Sequence, residues 1–167
     1  LDALVPDLRA ALAEAEELLA WVSDFDFPDF TRDYELVALR HAGEYPMNEG
    51  RVVSTRGLDF DVHDYDRHIV EEQVAHSTAL QARIVGRGAF QCGPLARYAL
   101  NHDRLSPRAH DAAKRAGLDP TCRNPFRTIL VRGVEVIVAL EGALGIIANY
   151  APPAESSVAF TLRAGTG

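Results

Sequence analysis

Asn124-Pro125-Phe126-Arg127-Thr128-Ile129-Leu130-Val131-Arg132-Gly133-Val134-Glu135-Val136-Ile137 opens the segment that decides the fold. Asparagine is a favoured N-cap because its side-chain oxygen accepts an orphan backbone N–H. Proline suits the first helical position, where its missing N–H is no loss. Phe126, Leu130, Gly133, Ile137, Leu140, Leu144 and Ile147 then alternate spacings of four and three. That pattern predicts a seam packed against another helix. Val131, Val134, Val136 and Val138 widen the apolar surface, so the helix is expected to be buried on most sides. Over roughly 24 residues it would be about 36 Å long. Pro152-Pro153 ends it. Gly133, Gly142 and Gly145 each weaken it by up to ~1 kcal/mol and permit close approach of a neighbour.

A partner for that seam stands at the start of the chain. Leu4, Leu8, Ala11, Leu12, Ala15, Leu18, Leu19 and Val22 form one apolar stripe of a helix over about 4–22. Pro6 fits its first turn, and Glu14, Glu16 and Glu17 lie on or beside its solvated face. The helix should stop before Phe27-Pro28, because a residue preceding proline is pushed out of the α region. Two shorter helices are expected between these long ones. Pro94 opens one near 94–101. Ser106-Pro107 caps and opens another that runs to Gly117.

Strand signals fill 34–62. Tyr34 to Leu39 alternates and is rich in strand formers, Arg51 to Thr55 reads as a second strand, and Leu58-Asp59-Phe60-Asp61-Val62 as a third. Gly43, Pro46 and Asn48-Glu49-Gly50 supply turns between them. A three-stranded antiparallel meander follows. Residues 63–84 are mixed, with a helix expected around Glu71 to Ile84, and Gly86 to Gly93 reads as a loop. The fold class is therefore α+β, mainly α: a helical bundle with a small antiparallel β meander, in a single domain over 1–167.

Composition narrows the function classes. Of 167 residues, 47% are hydrophobic and 25% charged, which is ordinary globular usage. A net charge of −7 argues against a general nucleic-acid binder. No apolar run approaches the ~20 residues of a membrane span. The N-terminus lacks the basic and apolar regions of a signal peptide, and two cysteines are too few for a disulfide framework, so a reducing, cytoplasmic setting is expected. Two cysteines, Cys92 and Cys122, form no C-x-x-C pair and read as small core residues. The close in Arg163-Ala164-Gly165-Thr166-Gly167 reads as a cut inside a longer chain.

One cluster could carry chemistry by itself. Asp59, Asp61, His63, Asp64, Asp66, His68, Glu71, Glu72 and His76 gather metal-ligating types, and Glu72 and His76 would share a helical face four apart. The candidate ligands are His63, His68, Glu72 and His76, and they would serve an independent divalent-metal-dependent hydrolase. No H-E-x-x-H spacing supports it, and an acidic solvated turn explains the same residues. His63-Asp64, His102-Asp103 and His110-Asp111 resemble the dipeptides of metal-dependent phosphohydrolases on helical scaffolds. Yet the long last helix contains neither His nor Asp to complete such a site. Gly86-Arg87-Gly88 matches no phosphate-binding loop, and no G-x-S-x-G elbow is present. Arg97 and Arg132 sit in apolar stretches, so each stem should pack while its head reaches a carboxylate or carbonyl.

Several segments in order resemble the large (alpha) subunit of nickel-iron hydrogenases of the soluble, cofactor-coupled kind. They are Phe27-Pro28-Asp29-Phe30, Glu35 to Leu39, Gly43-Glu44-Tyr45-Pro46, Gly50 to Ser54, Gly57 to Phe60, and Glu71-Glu72 through His76-Ser77-Thr78-Ala79-Leu80. The sharpest is Cys92-Gly93-Pro94-Leu95-Ala96-Arg97-Tyr98-Ala99-Leu100-Asn101, similar to the family's Val-Gly-Pro-Leu-Ala-Arg helix start. Leu105-Ser106-Pro107 and Asn124-Pro125-Phe126 follow, and Arg163 to Gly167 resembles the strand leading into a Glu-Ala-Pro-Arg-Gly segment. Leu80 replaces a commoner lysine and Cys92 a valine. Together these pieces cover most of the chain.

The resemblance implies a parent that reversibly oxidises dihydrogen at a nickel-iron centre and passes electrons to an iron-sulfur small subunit. In that family four cysteines, from one C-x-x-C near each end, hold the metals. Neither pair occurs here, and thiolates are the soft ligands such a centre requires. The chain is thus expected to be an inactive, metal-free middle region, without catalytic or cofactor-binding residues. Its motif residues Ser77, Gly93, Pro94, Leu95, Ala96 and Arg97 would be structural. Its partner would be the small subunit, with no nucleic acid and no membrane, and its apolar helix faces could also drive self-association.

Overall fold

The computed structural model describes residues 1–165. Helix α1 spans Val5–Ser23 and the long helix α5 spans Thr128–Asn149, the latter led in by a 3-10 turn over Pro125–Arg127. Asn124 caps that turn as the sequence predicts, its side chain accepting from the Phe126 N–H at 3.0 Å. α1 and α5 pack through Leu12, Leu19 and Val22 on one side and Leu130, Val131, Val134 and Ile137 on the other. At Gly133 the approach is tight: a Cβ there would lie 3.0 Å from Leu19 Cδ1. Each large side chain sealed in this seam contributes about 1.5–3 kcal/mol.

Two more expected helices complete the bundle, α3 over Pro94–Asn101 and α4 over Pro107–Arg115. Ser106 caps α4 by accepting from the Ala109 N–H at 3.0 Å. A four-residue helical turn, α2, lies at Tyr65–His68. No helix among the described residues is long and apolar enough to cross a membrane.

The meander forms where the alternation put it. β1 (Val37–Arg40), β2 (Arg51–Ser54) and β3 (Asp59–Phe60) pair antiparallel in that order. Gly50 is obligatory at the return, with φ at +142° and a hypothetical Cβ 2.6 Å from the Arg40 carbonyl oxygen.

Residues 71–84 do not form the expected helix. They belong to a hairpin, β4 (Ile69–Glu72) with β5 (Gln81–Ile84), registered Ile69 to Ile84 and Glu72 to Gln81. The Glu, Gln and Ala content suits a helix locally. Pairing wins because it buries Ile69 and Ile84 beside Val37, Leu58 and Phe60. These five form a core separate from the helical one.

Three further expectations are corrected. α5 is not buried on most sides. Its sealed residues end at Ile137, with Leu140 and Leu144 only partly buried beyond, while Ile129, Val136 and Ile146 are exposed, because the neighbouring helices cover only one face of it. Cys92 is exposed rather than core, since it lies just before α3 outside either cluster, whereas Cys122 is buried. Arg163 to Gly165 have no strand conformation, and Thr166 and Gly167 lie outside the described residues.

The bundle and the sheet meet along a polar seam. Asn101 on α3, fully buried, donates to the Leu39 carbonyl at 2.9 Å. Arg40 at the end of β1 pairs both oxygens of Asp103, at 2.9 and 2.8 Å, and also donates to the Leu100 carbonyl.

Candidate functional site

The resemblance motif Gly93-Pro94-Leu95-Ala96-Arg97 makes the corner where loop becomes α3. Gly93 has φ +87°, which side-chain-bearing residues rarely adopt, although the space around it is open. Pro94 occupies the first turn, and Leu95 and Ala96 are buried in or beside the helical core. This places Arg97 one turn in, facing α5. Its Nε donates to Glu135 Oε1 and its Nη2 to Oε2, both at 2.8 Å. Tyr45 completes the cluster, its hydroxyl donating to Glu135 Oε1 at 2.9 Å.

Glu135 and Tyr45 are 8% and 7% exposed, so this is a charged junction inside the fold. The hydrogen bond to Glu135 holds the Arg97 guanidinium above its usual range, against the opposing effect of burial. Burial first, and then the Glu135 charge, push the Tyr45 phenol far above its usual range, so it stays protonated and donates to Glu135. Glu135 accepts three donors in total. A carboxylate so engaged is not poised as a general base. The arrangement ties a loop and two helices together.

The sequence prediction for Arg97 is met, and the partner it left unnamed is Glu135. A signal existed: Glu135 is an acid in a run of Val134, Val136, Ile137 and Val138, where an unpaired charge would be costly. Arg132 departs from its prediction. It is exposed and lies along an apolar groove of about 370 Å³ between α1 and α5, with Leu18, Trp21, Phe25, Ile129 and Val136. It lies about 100° around α5 from the sealed Val131, and no carboxylate of the described residues pairs with it.

A second buried acid went unnoticed. Glu35, 4% exposed, accepts from Ser54 Oγ at 2.6 Å and Arg87 Nη1 at 2.9 Å. The Gly86 to Gly88 turn delivers that arginine. The chain then runs beside β1, where the Gln91 N–H donates to the Glu35 carbonyl at 2.9 Å.

The acidic-histidine cluster is dispersed into local pairs. His68 stacks on Phe60 with ring centres 4.2 Å apart. Glu72 ends β4 and pairs with Arg83 at 2.5 Å, so it shares no helical face with His76, which sits in the hairpin loop. Asp61 caps the His63 N–H at 3.0 Å, Asp64 pairs with Arg67, and Asp59 with Arg51. Ser77 also lies in that loop, its hydroxyl accepting from the Ala79 N–H at 3.1 Å. Among the described residues no three His, Cys, Asp or Glu side chains lie where they could share an ion.

His102 and His110, by contrast, come together although they are eight positions apart. Their ring centres are 4.9 Å apart, and Tyr98 lies edge-on to His102 at 5.2 Å. Burial, and then the proximity of His110, lower the His102 pKa against the opposing pull of Asp103. No family model matches this chain, and no curated protein matches it.

Proposed function

We propose that this chain is a scaffold segment of a nickel-iron hydrogenase large subunit, the part lying between the two metal-ligand pairs. The whole protein would split dihydrogen reversibly at its nickel-iron centre, in the cytoplasm, and pass electrons to an iron-sulfur small subunit. This segment would hold the helices and sheet on which the ligand-bearing ends are mounted.

The observation that carries the reading is the role of the sharpest motif. Every residue of Gly93-Pro94-Leu95-Ala96-Arg97 is used to build a joint, by conformation at Gly93, by packing at Leu95 and by the ion pair at Arg97. The cysteines agree with a segment lacking the centre, because one is exposed, one is buried, and neither belongs to a C-x-x-C pair. The uncovered apolar groove between α1 and α5 suits a piece that packs against more polypeptide.

The test is the reading frame that encodes these 167 residues. A C-x-x-C pair encoded on each side, with dihydrogen-dependent dye reduction by the full product and its small subunit, is the expected result. A full-length product with no such pairs overturns the proposal.

A further inference from the structure

We infer that His102 and His110 form a two-imidazole chelate for a zinc-class divalent cation (Zn²⁺, Ni²⁺ or Cu²⁺) at the junction of α3 and α4. An imidazole nitrogen binds zinc at about 2.0–2.1 Å, which puts each ring centre about 3.2 Å from the ion. Two rings at a near-tetrahedral angle then have centres about 5 Å apart. The observed separation is 4.9 Å, with the ring planes 60° apart. The ring separation therefore matches that of two imidazoles sharing one ion.

Two observations favour a ligand over a simple aromatic contact. No side-chain hydrogen bond engages either imidazole among the described residues, and none figures among the influences on His102. The ring nitrogens are thus not committed to the protein. His110 is exposed, so water can fill the remaining coordination positions. Imidazole suits zinc, copper and nickel, whereas magnesium prefers an all-oxygen shell.

The ion would clip the turn that follows α3, over His102–Arg104, to α4. That turn carries Asp103, which holds Arg40 and the end of β1. The chelate is separate from any thiolate-held centre and does not depend on the scaffold reading.

Calorimetric titration of the untagged, chelator-stripped chain with Zn²⁺ tests the site, with Mg²⁺ as the contrast. One zinc per chain is expected, with no magnesium heat. His110→Ala should weaken zinc at least tenfold while leaving the far-ultraviolet spectrum unchanged, and His102→Asn should do the same. Because His110 is exposed, its variant decides the matter even where His102→Asn perturbs the fold. Absence of saturable zinc binding overturns the inference. So does binding that is equal in wild type and His110→Ala. It is equally overturned if His63→Ala/His68→Ala/His76→Ala alone abolishes the binding.

Discussion

Arg97 on α3 and Glu135 on α5 meet in a two-bond ion pair, with both contacts at 2.8 Å and the carboxylate nearly sealed from solvent. Removing one side of such a pair leaves the other charge stranded, which costs more than the pair contributes. Glu135→Ala should therefore destabilise the chain by about 3 kcal/mol in urea unfolding. The double variant Arg97→Met/Glu135→Leu should recover most of that loss, because no charge remains buried. Equal destabilisation by single and double variants would show that the pair is not the joint described.

Tyr45 hangs on the same carboxylate by one hydrogen bond. Tyr45→Phe keeps the ring and deletes only the donor. The expected cost is about 1.5 kcal/mol, the lower end for a hydrogen bond to a charged group. Measured in the Glu135→Leu background, the same substitution should cost close to nothing.

Gly50 carries the meander's first return against the Arg40 carbonyl. Gly50→Ala adds a methyl group where 2.6 Å is available and asks alanine for a positive φ. A loss of about 2–3 kcal/mol is expected, readable as a lower thermal midpoint. Gly142→Ala, where space is open, should instead stabilise α5 by about 0.5–1 kcal/mol.

His102 provides a pH signature. Its folded pKa is depressed, chiefly by burial and then by His110. Between the folded and unfolded pKa values the unfolded chain binds more protons, so stability rises with pH there and is lost as pH falls below the ordinary histidine range. The urea midpoint, measured with chelator present, should drop from about pH 7.5 to about pH 5.5. His102→Asn should flatten that part of the slope, and an unchanged slope would exclude His102 as its source.

Legibility in the sequence followed the range of the interactions. The ends of the helices were readable because their determinants are local: Asn124 and Ser106 as caps, Pro94 and Pro107 in first turns, Gly117 with φ +65° as a stop. The β4–β5 hairpin was not, because pairing Ile69 with Ile84 depends on a core assembled from β1 and β3. Arg97 announced a partner but not which one, since 38 residues separate it from Glu135. His102 and His110 became neighbours only once the turn after α3 fixed the angle at which α4 leaves.

Two apolar cores joined by a charged and hydrogen-bonded seam have a consequence for cooperativity. Guanidinium chloride screens ion pairs as it denatures, whereas urea leaves them intact. In urea the bundle and the sheet should melt together. In guanidinium, the exposed Arg40–Asp103 pair weakens first, and the small sheet loses that tether before the bundle fails. Hydrogen exchange of the β1–β2 and α5 amides would then trace separate transitions in one denaturant and a single transition in the other.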